Sequence, residues 1–302
     1  MVSAMEKFKG AFTIAFTPFT EAGDVDCSQF ERQVDYLAST GAGGVVLYGM
    51  TSEYHKLTDD EKKRLTSSFL KTLKGREPVS VLSVTDWSTE CAVVRAKEYE
   101  ALGVDMLMLM PPFYYGPTLE EVTHHIISIL EAVKIPVIIQ YAPLATKLYM
   151  PEQALVDISE RYPNAAFKIE YKPAVEFLQN FFDLKPDLPV MTGWAGLEMI
   201  ELNRIGVRGV LTVGGFTELY VAIYRALHEK DFESAQAIYG RMEGYLLKWM
   251  QTPESLLAIE KEIVRRRGIF KSSYCRRPAY HLTPENNREI NDFLKEFHDY
   301  LF

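Results

Sequence analysis

The sequence predicts an α/β fold, a (β/α)8 TIM barrel with additional C-terminal helices, and three observations carry that reading. Short apolar runs rich in Val, Ile, Leu and Met alternate with longer amphipathic stretches, as buried parallel strands alternate with helices. The alternation occurs eight times, the number that closes a barrel. No GxGxxG follows the first run and no GxxxxGK[ST] occurs anywhere, so the glycine signatures of open nucleotide-binding sheets are missing.

Taken in order, residues 13–19 read as the first strand and 28–39 as its helix. Strands over 44–47, 79–84 and 105–110 are followed by helices over 59–73, 91–102 and 119–133. The fifth and sixth pairs are 137–141 with 151–161, and 166–170 with 174–183. The seventh and eighth are 189–192 with 197–205, and 209–213 with 219–227. Residues 232–251, 253–267 and 284–301 read as further helices. No low-complexity linker precedes them, so the expected organisation is a barrel over 1–230 carrying the active site and a helical segment over 231–302 packed on it.

The chain has 302 residues, 47% of them hydrophobic and 25% charged, with a net charge of −8. A single barrel accommodates that length. The acidic balance disfavours nucleic acid as a partner. No apolar run reaches membrane-spanning length and no signal-peptide core opens the chain, so no membrane association is expected. Cys27, Cys91 and Cys275 are widely spaced and odd in number. That fits neither a disulfide framework nor a zinc site, and the expected compartment is the cytoplasm. The six histidines show no metal-ligand spacing at strand ends, so no metal is expected.

Catalytic side chains of such barrels sit at the C-terminal ends of the strands. Lys168 follows Ala165-Ala166-Phe167 in an apolar strand, where a lysine is costly to bury. Burial favours the neutral amine, the nucleophile that forms a Schiff base with a ketone. Glu170 lies two residues on and shares its face. The two could form a plain buried ion pair, or an amine with its proton partner.

The motifs around them decide between those readings by resemblance. Ala15-Phe16-Thr17-Pro18-Phe19, Gly49-Met50-Thr51-Ser52-Glu53, Pro111-Pro112-Phe113-Tyr114 with Pro117-Thr118, and Phe167-Lys168-Ile169-Glu170 occur in this order. In order and spacing the chain resembles the dihydrodipicolinate synthase / N-acetylneuraminate lyase superfamily of class I Schiff-base lyases. The resemblance implies that Lys168 forms the imine and that Thr51 and Ser52 hold a substrate carboxylate. It further implies that Tyr114 crosses to a neighbouring subunit, and that the protein is a cofactor-free homo-oligomer, a tetramer in the family.

The sequence also departs from the family pattern. Aligned on Pro143, Gln140 occupies the family's catalytic tyrosine position and Ala145 its arginine position. Alternation aims Gln140 into the barrel and Tyr141 away from it. A strand-end bulge would reverse them, so both remain candidates. Without cation and tyrosine, the dihydrodipicolinate synthase condensation is disfavoured. Gln140, the Lys168-x-Glu170-x-x-Pro173 spacing and Thr212-Val213-Gly214-Gly215-Phe216 resemble an atypical branch that includes 2-keto-3-deoxy sugar acid dehydratases and aldolases. There Glu170 would replace the tyrosine as acid/base. Gly214 and Gly215 would either let backbone approach a substrate or simply form a tight turn. Trp194 is expected to narrow the pocket. The expected substrate is a 2-keto acid. The alternatives are the synthase-like condensation and a non-catalytic barrel that only binds keto acids.

Overall fold

The computed structural model describes residues 4–302. Its strands are β1 (Gly10–Ile14), β2 (Gly44–Leu47), β3 (Val79–Val84), β4 (Met106–Leu109), β5 (Val137–Tyr141), β6 (Ala165–Ile169), β7 (Val190–Thr192) and β8 (Gly209–Val213). They hydrogen-bond in chain order and close into a barrel, so the predicted fold is the observed one. Helices α1 (Cys27–Ser39), α2 (Asp59–Leu73), α3 (Thr89–Ala101) and α4 (Leu119–Ala132) follow the first four strands. A short α5 (Pro143–Thr146) and α6 (Glu152–Arg161) follow β5. Then α7 (Ala174–Leu184), α8 (Met199–Arg204) and α9 (Thr217–His228) follow β6, β7 and β8. The C-terminal helices are α10 (Phe232–Trp249), α11 (Pro253–Arg266), α12 (Pro284–Glu296) and α13 (His298–Leu301). None of the described helices is long and apolar enough to cross a membrane.

Several helix starts are written into the sequence. Asp26 accepts the N–H groups of Ser28 and Gln29 at the start of α1. Thr58 with Glu61, and Thr118 with Glu121, form reciprocal capping boxes on α2 and α4. Each such cap stabilises its helix by about 1 kcal/mol.

The chain forms two compact units, one of residues 4–10 and 79–211, the other of 11–78 and 212–302. The C-terminal helices fall within the second of these. The reason lies in the second unit's own core. Phe216, at the start of α9, packs against Trp249 of α10 and Phe293 of α12, with ring centroids 6.4 and 5.0 Å apart. All three are fully buried. The C-terminal helices thus complete the core of a unit that also holds most of β1 and all of β2.

In that unit β1 begins and ends earlier than the predicted 13–19. Ala15, Phe16 and Phe19 are buried, but Pro18 and an antiparallel bridge from Phe19 to Val25 take them out of the parallel ladder. Burial in a strand-end loop leaves the same apolar signature as burial in a strand. In the first unit β5 and β6 pair in register, with Gln140 opposite Lys168 and Tyr141 opposite Ile169. That register positions the site.

Candidate active site

Lys168 and Glu170 project from β6 and its first residue beyond. Both side chains are almost fully buried, and Lys168 Nζ lies 3.2 Å from Glu170 Oε1. The neighbouring strand adds Gln140, whose Nε2 donates to Glu170 Oε2 at 2.6 Å. After β7, the main-chain N–H of Trp194 donates to Glu170 Oε1 at 3.1 Å. Three groups therefore fix the carboxylate in one rotamer against the amine.

The electrostatics follow from these contacts. Burial pushes the Glu170 carboxyl up. The Lys168 ammonium, the Gln140 amide and the Trp194 N–H outweigh it and hold the group below the ordinary glutamate value. Glu170 is thus an anion at neutral pH, within direct proton-transfer reach of the lysine. A carboxylate so placed can accept a proton from the amine or from a carbon attached to it, and return it later.

Sequence reasoning missed the turn that makes this possible. A Cβ at Gly193 would lie 2.3 Å from Glu170 Oε1, so only glycine leaves room for the carboxylate. The next two residues, Trp194 and Ala195, both have φ of +51°. This left-handed backbone costs a non-glycine residue of order 1 kcal/mol or more. In return the Trp194 N–H is aimed at Glu170. The Trp194 ring is half-buried, with Lys172 Nζ 5.4 Å from its centroid. It is Trp194's main chain that hydrogen-bonds to Glu170.

Gln140 faces inward, as alternation predicted, and Tyr141 does not. The Tyr141 hydroxyl donates to the Met150 carbonyl at 3.0 Å and accepts from the Met150 N–H at 3.2 Å. Its ring stacks on Phe177 of α7 at 5.5 Å, and burial pushes the phenol up to about 12. β5 carries no bulge, and the Tyr141 phenol sits in the helix layer. Tyr114 lies at the surface, 67% exposed, with its ring 5.8 Å from Trp87 and 4.8 Å from Tyr115.

The second unit holds the remaining candidates. Thr51 and Ser52 form a single 3-10 turn, Met50–Ser52, after β2. The Ser52 hydroxyl donates to Ala15 O at 2.7 Å, and Ser52 O accepts from the Thr17 hydroxyl at 2.6 Å. Ser52 is thus used in holding the turn. Thr51 Oγ1 is buried and has no hydrogen-bond partner among the described residues. Such a group calls for a ligand or water. At Gly214 a Cβ would come within 2.9 Å of Ile14 O, and at Gly215 within 2.6 Å of Glu260 Oε2. The Gly215 N–H donates to Glu260 and its carbonyl accepts from Arg267. The close approach that these glycines permit is to the protein itself.

Comparison with known proteins places the chain. The sequence profile of the dihydrodipicolinate synthetase family matches residues 7–297. The chain belongs to that family. Its relatives include the L-2-keto-3-deoxyarabonate dehydratase of Azospirillum brasilense, 29% identical over 95% of this chain and 94% of the relative. The 4-hydroxy-tetrahydrodipicolinate synthase of Persephonella marina is 26% identical over 96% of this chain and 98% of its own. Among solved structures, the dihydrodipicolinate synthase from Rhodopseudomonas palustris superposes with a TM-score of 0.87 at 23% identity, covering 97% and 98% of the two chains. The N-acetylneuraminate lyase from Mycoplasma synoviae gives 0.81 at 22% identity, covering 99% and 100%. These two likenesses bear on the fold. Membership of the dihydrodipicolinate synthetase family makes the chain an enzyme of the lyase type.

Proposed function

We propose that this family member holds a 2-keto acid as an imine on Lys168 and dehydrates 2-keto-3-deoxy sugar acids. The observation that carries the reading is the fixed set of Lys168, Glu170 and Gln140. Glu170 stands where it can serve the lysine, while Gln140 fills the position where the resemblance would put a tyrosine. The similarity to the Azospirillum dehydratase points to the same substrate class.

In this reading Lys168 passes a proton to Glu170, and its free amine attacks the C2 carbonyl. Glu170 returns that proton to the carbinolamine hydroxyl, which leaves as water, and an iminium forms. The iminium draws electrons from C3, and Glu170 removes a C3 proton to give an enamine. The enamine electrons then expel the C4 hydroxyl as water with a proton from Glu170. With a five-carbon acid the unsaturated iminium loses a C5 proton and gains one at C3, hydrolysis of the imine frees Lys168, and the remaining C4–C5 enol tautomerises to the aldehyde. Thr51, whose Oγ1 is unpartnered, is assigned the substrate carboxylate on the resemblance of its loop, with Ser52 holding the turn. The surface cluster of Trp87, Tyr114 and Tyr115 supports a homo-oligomer in which a second copy covers Tyr114. The three thiols, all free, suit the reducing cytoplasm.

The test is borohydride trapping with pyruvate, read by mass spectrometry, followed by product analysis with 2-keto-3-deoxy acids. An adduct on Lys168 and formation of 2-ketoglutarate semialdehyde from a five-carbon acid are expected. Absence of the adduct overturns the imine; release of pyruvate instead of the semialdehyde replaces dehydration with aldol cleavage. Glu170→Gln should lower kcat by roughly 10²–10⁴-fold, the usual contribution of a general acid/base. Tyr141→Phe should leave kcat unchanged.

A further inference from the structure

Lys261 of α11 and Glu53 after β2 form an ion pair at 2.8 Å in which neither side chain has any exposure. The lysine is fully used. Its Nζ donates to Glu53 Oε1, to Thr17 O at 2.9 Å and to Tyr274 O at 2.8 Å, which takes all three of its donors. The other carboxylate oxygen of Glu53 accepts from the Arg276 N–H at 3.1 Å and from Lys56 Nζ at 3.3 Å. Glu53 itself has φ of +55°, in the left-handed region.

A buried ion pair is a poor source of stability, because desolvation offsets most of the attraction and a well-packed apolar pair often serves as well. What such a pair supplies is fixed geometry. Here it fixes the segment next to Thr51. Lys261 grips Glu53, two residues beyond Thr51. It also grips the carbonyl of Thr17, whose hydroxyl holds Ser52 O. The turn over residues 50–52 is therefore set from both sides by one ammonium of the C-terminal region, and the main chain of Tyr274 and Arg276 bonds to the same ion pair.

We infer that Lys261 and Glu53 are positioning residues that orient the 50–52 turn so that Thr51 can take the substrate carboxylate. The inference rests on the carboxylate role proposed above for Thr51. Neither residue touches the keto acid; both act through the turn.

The experiment compares wild type with Lys261→Met by borohydride trapping on Lys168, using pyruvate and hydroxyacetone, a ketone without a carboxylate. In the variant the pyruvate concentration for half-maximal trapping should rise about tenfold or more, matching a lost hydrogen bond to a charged group. Yield at saturation should hold, and half-saturation by hydroxyacetone should not move. An unchanged value for pyruvate in the folded variant overturns the inference. So does an equal rise for both ketones, which marks general damage. Should Lys261→Met fail to fold, the double variant Lys261→Met/Glu53→Leu, which removes the contact and leaves neither partner as an unpaired buried charge, is read by the same criteria. A wild-type protein that pyruvate does not label removes the proposed function and this inference together. A labelled wild type with an unaffected variant removes the inference alone.

Discussion

Lys168 and Glu170 lie two residues apart, so strand alternation alone puts them on one face, and an amine in an apolar strand stands out in the sequence by itself. Gln140 was legible by the same alternation, and so was the outward turn of Tyr141 once no bulge intervened. Gly193 was not legible. A glycine after a strand says nothing about which side chain lies over it, and only the 2.3 Å collision of an added Cβ with Glu170 Oε1 reveals its purpose. Gly193→Ala should therefore displace the carboxylate and lower kcat by roughly 10²-fold, since a misplacement of about 1 Å can cost that much. Trapping of pyruvate on Lys168 should survive, because the amine is untouched. Steady-state kinetics beside a borohydride assay check this, and an unaltered kcat would show that Glu170 does not need its present rotamer.

At the scale of elements, periodicity located the strands and helices well wherever burial and hydrogen bonding coincide. It failed at β1, where Ala15, Phe16 and Phe19 are buried outside the ladder. It located α11 but not its depth, for every residue from Ser255 to Val264 is buried. The charged residues of that stretch look like a solvated face in the sequence. Glu260 among them is pushed up to about 8 by burial, which the Gly215 N–H opposes only in part. The folded protein thus binds a proton that the unfolded chain releases above its ordinary value of 4.5. Stability from this group is full below that value and is lost as pH rises toward 8. Glu260→Gln carries no charge to bury and keeps an acceptor for Gly215. Its melting temperature should exceed that of wild type most at about pH 8 and least at about pH 5. Melting curves across that range decide the matter, and a gain independent of pH would refute the titration.

At the scale of the whole molecule, the linear order suggested a barrel followed by an appendage. The contacts group 11–78 with 212–302 in one compact unit. The order of eight strands was legible because each strand carries its own apolar signal. Which helices complete which core was not, since the partners of Phe216 and Glu53 lie far away in sequence. A chain ending at residue 230 would lack Trp249, Lys261 and Phe293. We expect it to be insoluble or to lack a cooperative melt, as judged by circular dichroism and calorimetry, and a folded, cooperatively melting product would support a boundary at 230.

Glu53 and Lys261 are separated by 208 positions in the chain. During synthesis the turn bearing Thr51 leaves the ribosome early and lacks its Lys261 anchor until α11 emerges. Contacts of such sequence separation form late and slowly. For most of its translation the nascent chain carries an acidic side chain destined for the interior whose Lys261 partner is not yet made. The segment around Glu53 is therefore among the last parts to mature, and chains released early would be the natural clients of chaperones.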